Sequence, residues 1–197
     1  DLTEADGLYL HLNPLQEALQ PEGNTRFSGL LNEINTLCRH LPVPVIAKEV
    51  GWGISPGVAR ALQDAGVAAI DVAGAGGTSW SQVEMHRSQT RVQREVAASF
   101  RDWGIPTATA IARVRQAIPD LPLIASGGLR TGIDVTKSLA LGADAATLAD
   151  VFLQAAFVSE QALRDQLTVI HKQIRIAMFA TGAGDVATLK QIDLIHT

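Results

Sequence analysis

At 197 residues, with 47% hydrophobic and 18% charged side chains, the chain has enough apolar material to close a core and too little charge for a disordered segment. Sixteen basic against twenty acidic residues, a net charge of −4, leave no surplus of Lys and Arg to grip a phosphate backbone, so nucleic acid is not an expected partner. No apolar run nears the roughly 20 residues that span a bilayer, and Asp1-Leu2-Thr3-Glu4 is no basic lead into a hydrophobic stretch, so neither a membrane partner nor a targeting signal is expected.

Apolar runs of strand length recur along the chain at Gly7 to Leu12, Val43 to Lys48, Ala68 to Val72, Leu121 to Ser126 and Ala143 to Leu148. Their lack of polar alternation predicts parallel strands covered on both faces. Helix signals fall between them. Phe27, Leu30, Leu31, Ile34, Leu37, Cys38 and Leu41 trace one face. The single cysteine, Cys38, therefore reads as a small buried apolar group, which suits a reducing, cytoplasmic compartment. Ser55-Pro56 is an N-cap and first-turn pair whose helix stops at Ala65-Gly66. Gly104 to Thr107 is expected as a short strand leading into a helix from Ala108 to Ile118. Thr131 caps a helix ending at Gly142, and Ser159 opens a long one to about Met178. The remainder, to Thr197, reads as an interface segment or a mobile tail. One domain over residues 1–197 is expected.

Alternating strands and helices imply a parallel α/β sheet, doubly wound or closed into a (β/α)8 TIM barrel. The unusual residues decide between them: His11 to Glu17, Lys48-Glu49, Gly74 to Trp80 and Ser126 to Arg130 all follow strand ends, and so share the rim where such barrels place their active sites. Five units are visible and a closed barrel has eight, so the last five units of a barrel are expected, with strands missing upstream of Asp1.

Ser126-Gly127-Gly128-Leu129-Arg130-Thr131-Gly132 leaves a buried strand and enters a capped helix. Its glycines let a ligand approach the backbone and its free amides face an anion, the build of a phosphate cradle, although the same composition suits a plain βα turn. A second phosphate loop is expected near Leu148 and Ala149, with Asp150 an awkward neighbour that points away. Gly74-Ala75-Gly76-Gly77-Thr78-Ser79-Trp80 reads either as a ligand loop or as a flexible turn with Trp80 packed on a helix. Lys48, where a buried strand meets the rim, should neutralise a nearby anion: a ligand, or in an ion pair Glu17, Glu49 or Asp71. Strand alternation sends His11 and Asn13 to one side, and Pro14 stops the strand and leaves Gln16 and Glu17 on the turn. One carboxylate suits a Mg2+ whose other ligands are water and substrate phosphate, but a helix-start role for Glu17 reads equally well.

HLNPLQE at His11 to Glu17, AKEVGWGIS at Ala47 to Ser55, DVAGAGGTSW at Asp71 to Trp80 and SGGLRTGIDVTKSLALGAD at Ser126 to Asp144 together resemble the type 2 isopentenyl-diphosphate isomerases. The resemblance runs from Gly7 past Leu153. It implies a (β/α)8 flavoenzyme that uses FMN, Mg2+ and NADPH to interconvert isopentenyl and dimethylallyl diphosphate, working as a homo-oligomer of four or more subunits. Carried over, it implies that Gln16 contacts substrate, that His11, Asn13 and Trp80 line the same reacting pocket, and that Glu17 binds Mg2+. Lys48, Thr78, Gly127, Gly128, Leu129, Leu148 and Ala149 would contact FMN. The chain departs from the family pattern at Thr147, where glycine is expected, and at Asp150, where a small or basic residue is. Another FMN barrel oxidoreductase is the rival enzyme, but no late-rim histidine and arginine pair and no cysteine in a glycine loop supports it. An inactive phosphate-binding or assembly fragment is the non-enzyme alternative.

Overall fold

A computed structural model describes residues 4–192 and 194. Five parallel strands, β1 (Leu8–Leu12), β2 (Val45–Glu49), β3 (Ala69–Asp71), β4 (Leu123–Ala125) and β5 (Ala145–Ala146), pair side by side in chain order. A doubly wound sheet reverses its order at a switch point; this one never does, and unbroken succession is the winding of a barrel wall.

The wall is covered by α1 (Pro14–Leu19), α2 (Leu30–His40), α3 (Pro56–Asp64), α4 (Trp80–Arg87), α5 (Arg91–Ser99), α6 (Thr107–Ala117), α7 (Gly132–Ala140), α8 (Asp150–Val158), α9 (Glu160–Ala180) and α10 (Val186–Leu189). Local chemistry sets several starts. Ser55 accepts from the Val58 N–H ahead of Pro56. Thr131 and Asp134 form a reciprocal capping box on α7, and Ser159 caps α9. Each occupies a donor that the first helical turn would otherwise leave unpaired.

Because side chains alternate along a strand, the sheet has two unlike faces. Ala47, Ile70, Val72, Leu123 and Ala125 point to the helices and are sealed against Ile34, Leu62, Ile111, Val114 and Val135. Sealing each large aliphatic there contributes about 1.5–3 kcal/mol. The opposite face carries Tyr9, Ile46 and Ile124, none fully buried. Register aligns His11 with Lys48, Lys48 with Asp71 and Asp71 with Ile124, one transverse row near the strand ends.

Several expectations need correction. β1 is exposed along much of its length and β5 has only two residues, so cover on both faces holds for the central strands alone: edge strands lack a neighbour to seal them. Gly104 to Thr107 forms no strand, only a bridge between Ala75 and Pro106, and α6 starts at Thr107. Gln16 and Glu17 lie on α1 rather than on a turn, since Pro14 suits the first turn of a helix as well as it ends a strand. Helices α4, α5 and α8 went unanticipated. Cys38 is half-buried against the core edge, where burial raises its thiol pKa. Past Met178 the described residues pack rather than trail, with Ala183 and Leu189 buried; residues 193 and 195–197 of the expected interface or tail lie outside the described residues. Among the described residues no helix is long and apolar enough to cross a membrane.

Candidate active site

Loops leaving the ends of β2, β3, β4 and β5 surround a cavity of about 510 Å3. Lys48, Thr78, Gly127, Gly128, Leu129 and Ala149, all singled out from the sequence, line it together. Leu148 does not; its side chain turns to the core, because alternation at the end of β5 sends neighbours to opposite sides. Arg130, at the end of the same glycine loop, also lines the cavity, as do Thr147 and Asp150. Asp150 lies on the cavity wall itself. It begins α8, where its carboxylate takes the amide of Gln154 at 2.9 and 3.0 Å and complements the helix dipole.

The wall of this cavity depends on close backbone contact between two loops. A Cβ on Gly127 would lie 2.1 Å from the Gly74 carbonyl oxygen, and one on Gly128 would lie 2.2 Å from that of Gly76. Both have left-handed backbone, with φ of +100° and +80°, so glycine is needed twice over. Among the described residues, no acceptor takes the amides of Gly127, Gly128 or Leu129. Unpaired amides beside Lys48 and Arg130 make this an anion-receiving surface.

Lys48 forms no ion pair among the described residues. Its ammonium donates to the Glu49 carbonyl oxygen at 2.8 Å, so the expected partnership with Glu17, Glu49 or Asp71 reduces to a field acting on two of them. Glu49 is buried on the helix side, and one carboxylate oxygen collects the amides of Val50, Gly51 and Trp52 at 2.7, 2.8 and 2.6 Å. Burial still raises its pKa above the ordinary value against those bonds and the Lys48 charge. Asp71, 1% exposed, accepts from the Ser126 hydroxyl and from the Ala73 amide. Burial raises it too, opposed by Ser126, Lys48 and His11. The Asp71–Ser126 contact ties the end of β3 to the start of the glycine loop. Tyr9 on the same face is raised by burial and then by Asp71.

A second cluster forms where α1 meets α4. Asn13 donates to Glu17 at 2.9 Å and lies 3.5 Å from Gln16. The other Glu17 oxygen accepts the Asn24 amide at 2.7 Å. Glu84 on α4, 5% exposed, receives Gln20 at 2.8 Å, Arg87 at 3.4 Å and Gln16 at 3.5 Å. Sequence reasoning missed Glu84, although its place four residues after Trp80 sets both on one helix face. Trp80 is half-buried against Gly51, close to the reading of a packed indole. His11 is exposed beside Lys48 on the open face and joins neither cluster by a hydrogen bond among the described residues.

A profile of the family described as FMN-dependent dehydrogenase matches residues 16–196. Proteins named isopentenyl-diphosphate delta-isomerase are similar: that of Nostoc sp. is 56% identical over 96% of this chain and 54% of its own length, and that of Stutzerimonas stutzeri 52% identical over 100% and 57%. The chain thus spans about half the length of these relatives. Among solved structures, a putative lactate oxidase from Pediococcus acidilactici aligns with a TM-score of 0.66 at 21% identity, over 91% of this chain and 43% of that one. GMP reductase from Trypanosoma brucei aligns at 0.63 and 22%, over 95% and 39%. These likenesses show the fold, and the five-stranded wall is that of a TIM barrel.

Proposed function

Since the chain belongs to the FMN-dependent dehydrogenase family, we propose that it supplies the rim of an FMN-dependent, type 2 isopentenyl-diphosphate isomerase. The observation that carries this reading is the convergence of Lys48, Thr78, Gly127, Gly128, Leu129 and Ala149 on one cavity walled by unpaired amides and two cations. That donor set fits FMN. The amides and Arg130 would hold the phosphate, and Lys48 would sit against the ring edge where reduction places negative charge. When bound, the reduced flavin would supply the acid and base group for moving a proton between two carbons. NADPH is the expected reductant in this reading, and no residue here is assigned to it.

Moving the double bond builds positive charge on a substrate carbon, so preorganised electrostatics carry the largest share of the acceleration. Among the described residues lining the cavity there is no His, no Cys and no carboxylate pair, which leaves positioning as this chain's own task. Asn13, just before α1, and Glu84 on α4 flank Gln16 and would present its amide to the substrate, and in this reading His11 and Trp80 would bound the same mouth. Glu17 retains unshared lone pairs on both oxygens after accepting from Asn13 and Asn24. It fits a Mg2+ that takes one protein carboxylate and otherwise water and diphosphate, and this ion would neutralise the diphosphate that anchors the substrate. Asp150 on the cavity wall weakens the anion site, and Thr147 occupies the place where the family pattern has glycine.

Incubating the chain with FMN, a reductant, Mg2+ and isopentenyl diphosphate, then analysing the prenyl products, tests the reading. Dimethylallyl diphosphate forming only with reduced flavin supports it. Flavin binding without isomerisation favours another oxidoreductase of the same fold, and no flavin binding favours a phosphate-binding or assembly fragment. A cytoplasmic homo-oligomer of four or more subunits completes the reading, and light scattering on the purified chain tests its assembly.

A further inference from the structure

Thr107 was not singled out by the sequence and has no place in the reading above, yet it sits at the junction of both glycine loops. It starts α6. Its hydroxyl donates to the Gly127 carbonyl oxygen at 2.6 Å and lies 3.4 Å from those of Ala75 and Ser126. Its amide donates to Ala75 at 3.2 Å, and the Ala75 amide donates to Ile105 at 2.9 Å. One residue therefore holds the loop after β3 by its main chain and the loop after β4 by its side chain.

The peptide plane turns this contact into a functional constraint. In a trans peptide the carbonyl of Gly127 and the amide of Gly128 point in opposite directions. Anchoring the carbonyl on Thr107 aims the Gly128 amide away from α6, and that amide has no acceptor among the described residues. Gly74 meets Thr107 backbone to backbone, since a Cβ there would lie 2.4 Å from the Thr107 Cα. The loop bearing Thr78 and the loop bearing Gly127 to Leu129 are thereby pressed into one unit.

We infer that Thr107 is a positioning residue that sets the amide orientation of the anion cradle and couples it to the Thr78 loop. The inference rests on the proposed cofactor site only in naming FMN phosphate as the anion. Thr107→Val keeps the shape and removes the donor, while Thr107→Ser keeps the donor. Losing one such hydrogen bond is expected to weaken FMN binding by roughly tenfold. Riboflavin, which lacks the phosphate, should change by less than about twofold, since only the phosphate end reads these amides.

Titration of the unaltered chain and both variants with FMN and riboflavin, paired with amide hydrogen exchange of the flavin-free proteins, tests this. The expected result is faster exchange at the paired amides of both loops, Gly74 and Ala75 in one and Arg130 in the other, for Thr107→Val, with Thr107→Ser close to the unaltered chain. Unchanged exchange in Thr107→Val, or a rise confined to one loop, overturns the coupling. Equal weakening of FMN and riboflavin overturns the assignment to the anion. Should the unaltered chain bind no flavin while both loops loosen in Thr107→Val alone, the coupling stands and the FMN reading falls.

Discussion

Replacing Glu49 by alanine removes the acceptor for three consecutive amides, those of Val50, Gly51 and Trp52. An unpaired buried donor costs about 1–3 kcal/mol. The Trp52 bond is buried and counts in full, whereas the other two are partly buried and water recovers some of their loss, so the total is about 2–4 kcal/mol. For a domain of this size that lowers Tm by roughly 5–15 °C. Glu49→Gln retains a carbonyl oxygen and should lose less than about 1 kcal/mol. The pH dependence follows from the raised pKa of Glu49. The folded state binds this proton more tightly than the unfolded chain does, so the contribution to stability is full below the ordinary carboxylate range and is lost as pH rises through the folded value. Relative to Glu49→Gln, the unaltered chain should therefore gain stability as pH falls through the raised folded value toward the ordinary carboxylate range. Urea unfolding of the three proteins at several pH values measures both effects. An alanine variant within about 0.5 kcal/mol of the unaltered chain would refute the claim that these amides depend on the carboxylate.

Other perturbations probe the rim and the opposite end of the wall. Lys48→Met should weaken binding of reduced FMN more than oxidised FMN, by roughly ten- to a hundredfold if an ionic contact is lost, read from the shift in flavin potential. Glu17→Gln should abolish the stimulation of turnover by Mg2+ and leave FMN affinity intact; a variant with unaltered metal response makes Glu17 structural. Gly128→Ala drives a Cβ to 2.2 Å from the Gly76 carbonyl oxygen in left-handed backbone, a strain of about 2–5 kcal/mol, so FMN binding should vanish and Tm should fall. Asp144 bonds Arg115 and Lys190, each at 2.5 Å, and its pKa is lowered because hydrogen bonds and these cations outweigh its partial burial. Stability from that depression is present above the ordinary carboxylate range and is lost as pH falls through the folded value. Thermal unfolding of Asp144→Asn should accordingly differ from the unaltered chain at neutral pH and converge with it in acid.

What the residues alone determined about this protein is the alternation of strand and helix, the caps at Ser55, Thr131 and Ser159, and the loops whose residues meet at one cavity. Those features are written locally: apolar runs without alternation need cover, and a hydroxyl before a helix or a glycine after a strand declares its own geometry. Sequence separation hid the rest. Glu84 reaches Gln16 across 68 positions and Thr107 reaches Gly127 across 20, and no pattern within a window of one element encodes such pairs. Whether Lys48 meets Glu17 or Asp71 was likewise undecidable from the strand alone, because these lie on other elements and register and packing set whether a carboxylate turns toward the ammonium. Alternation sends Glu49 to the face opposite Lys48, but only packing brings the amides of Val50, Gly51 and Trp52 to its carboxylate.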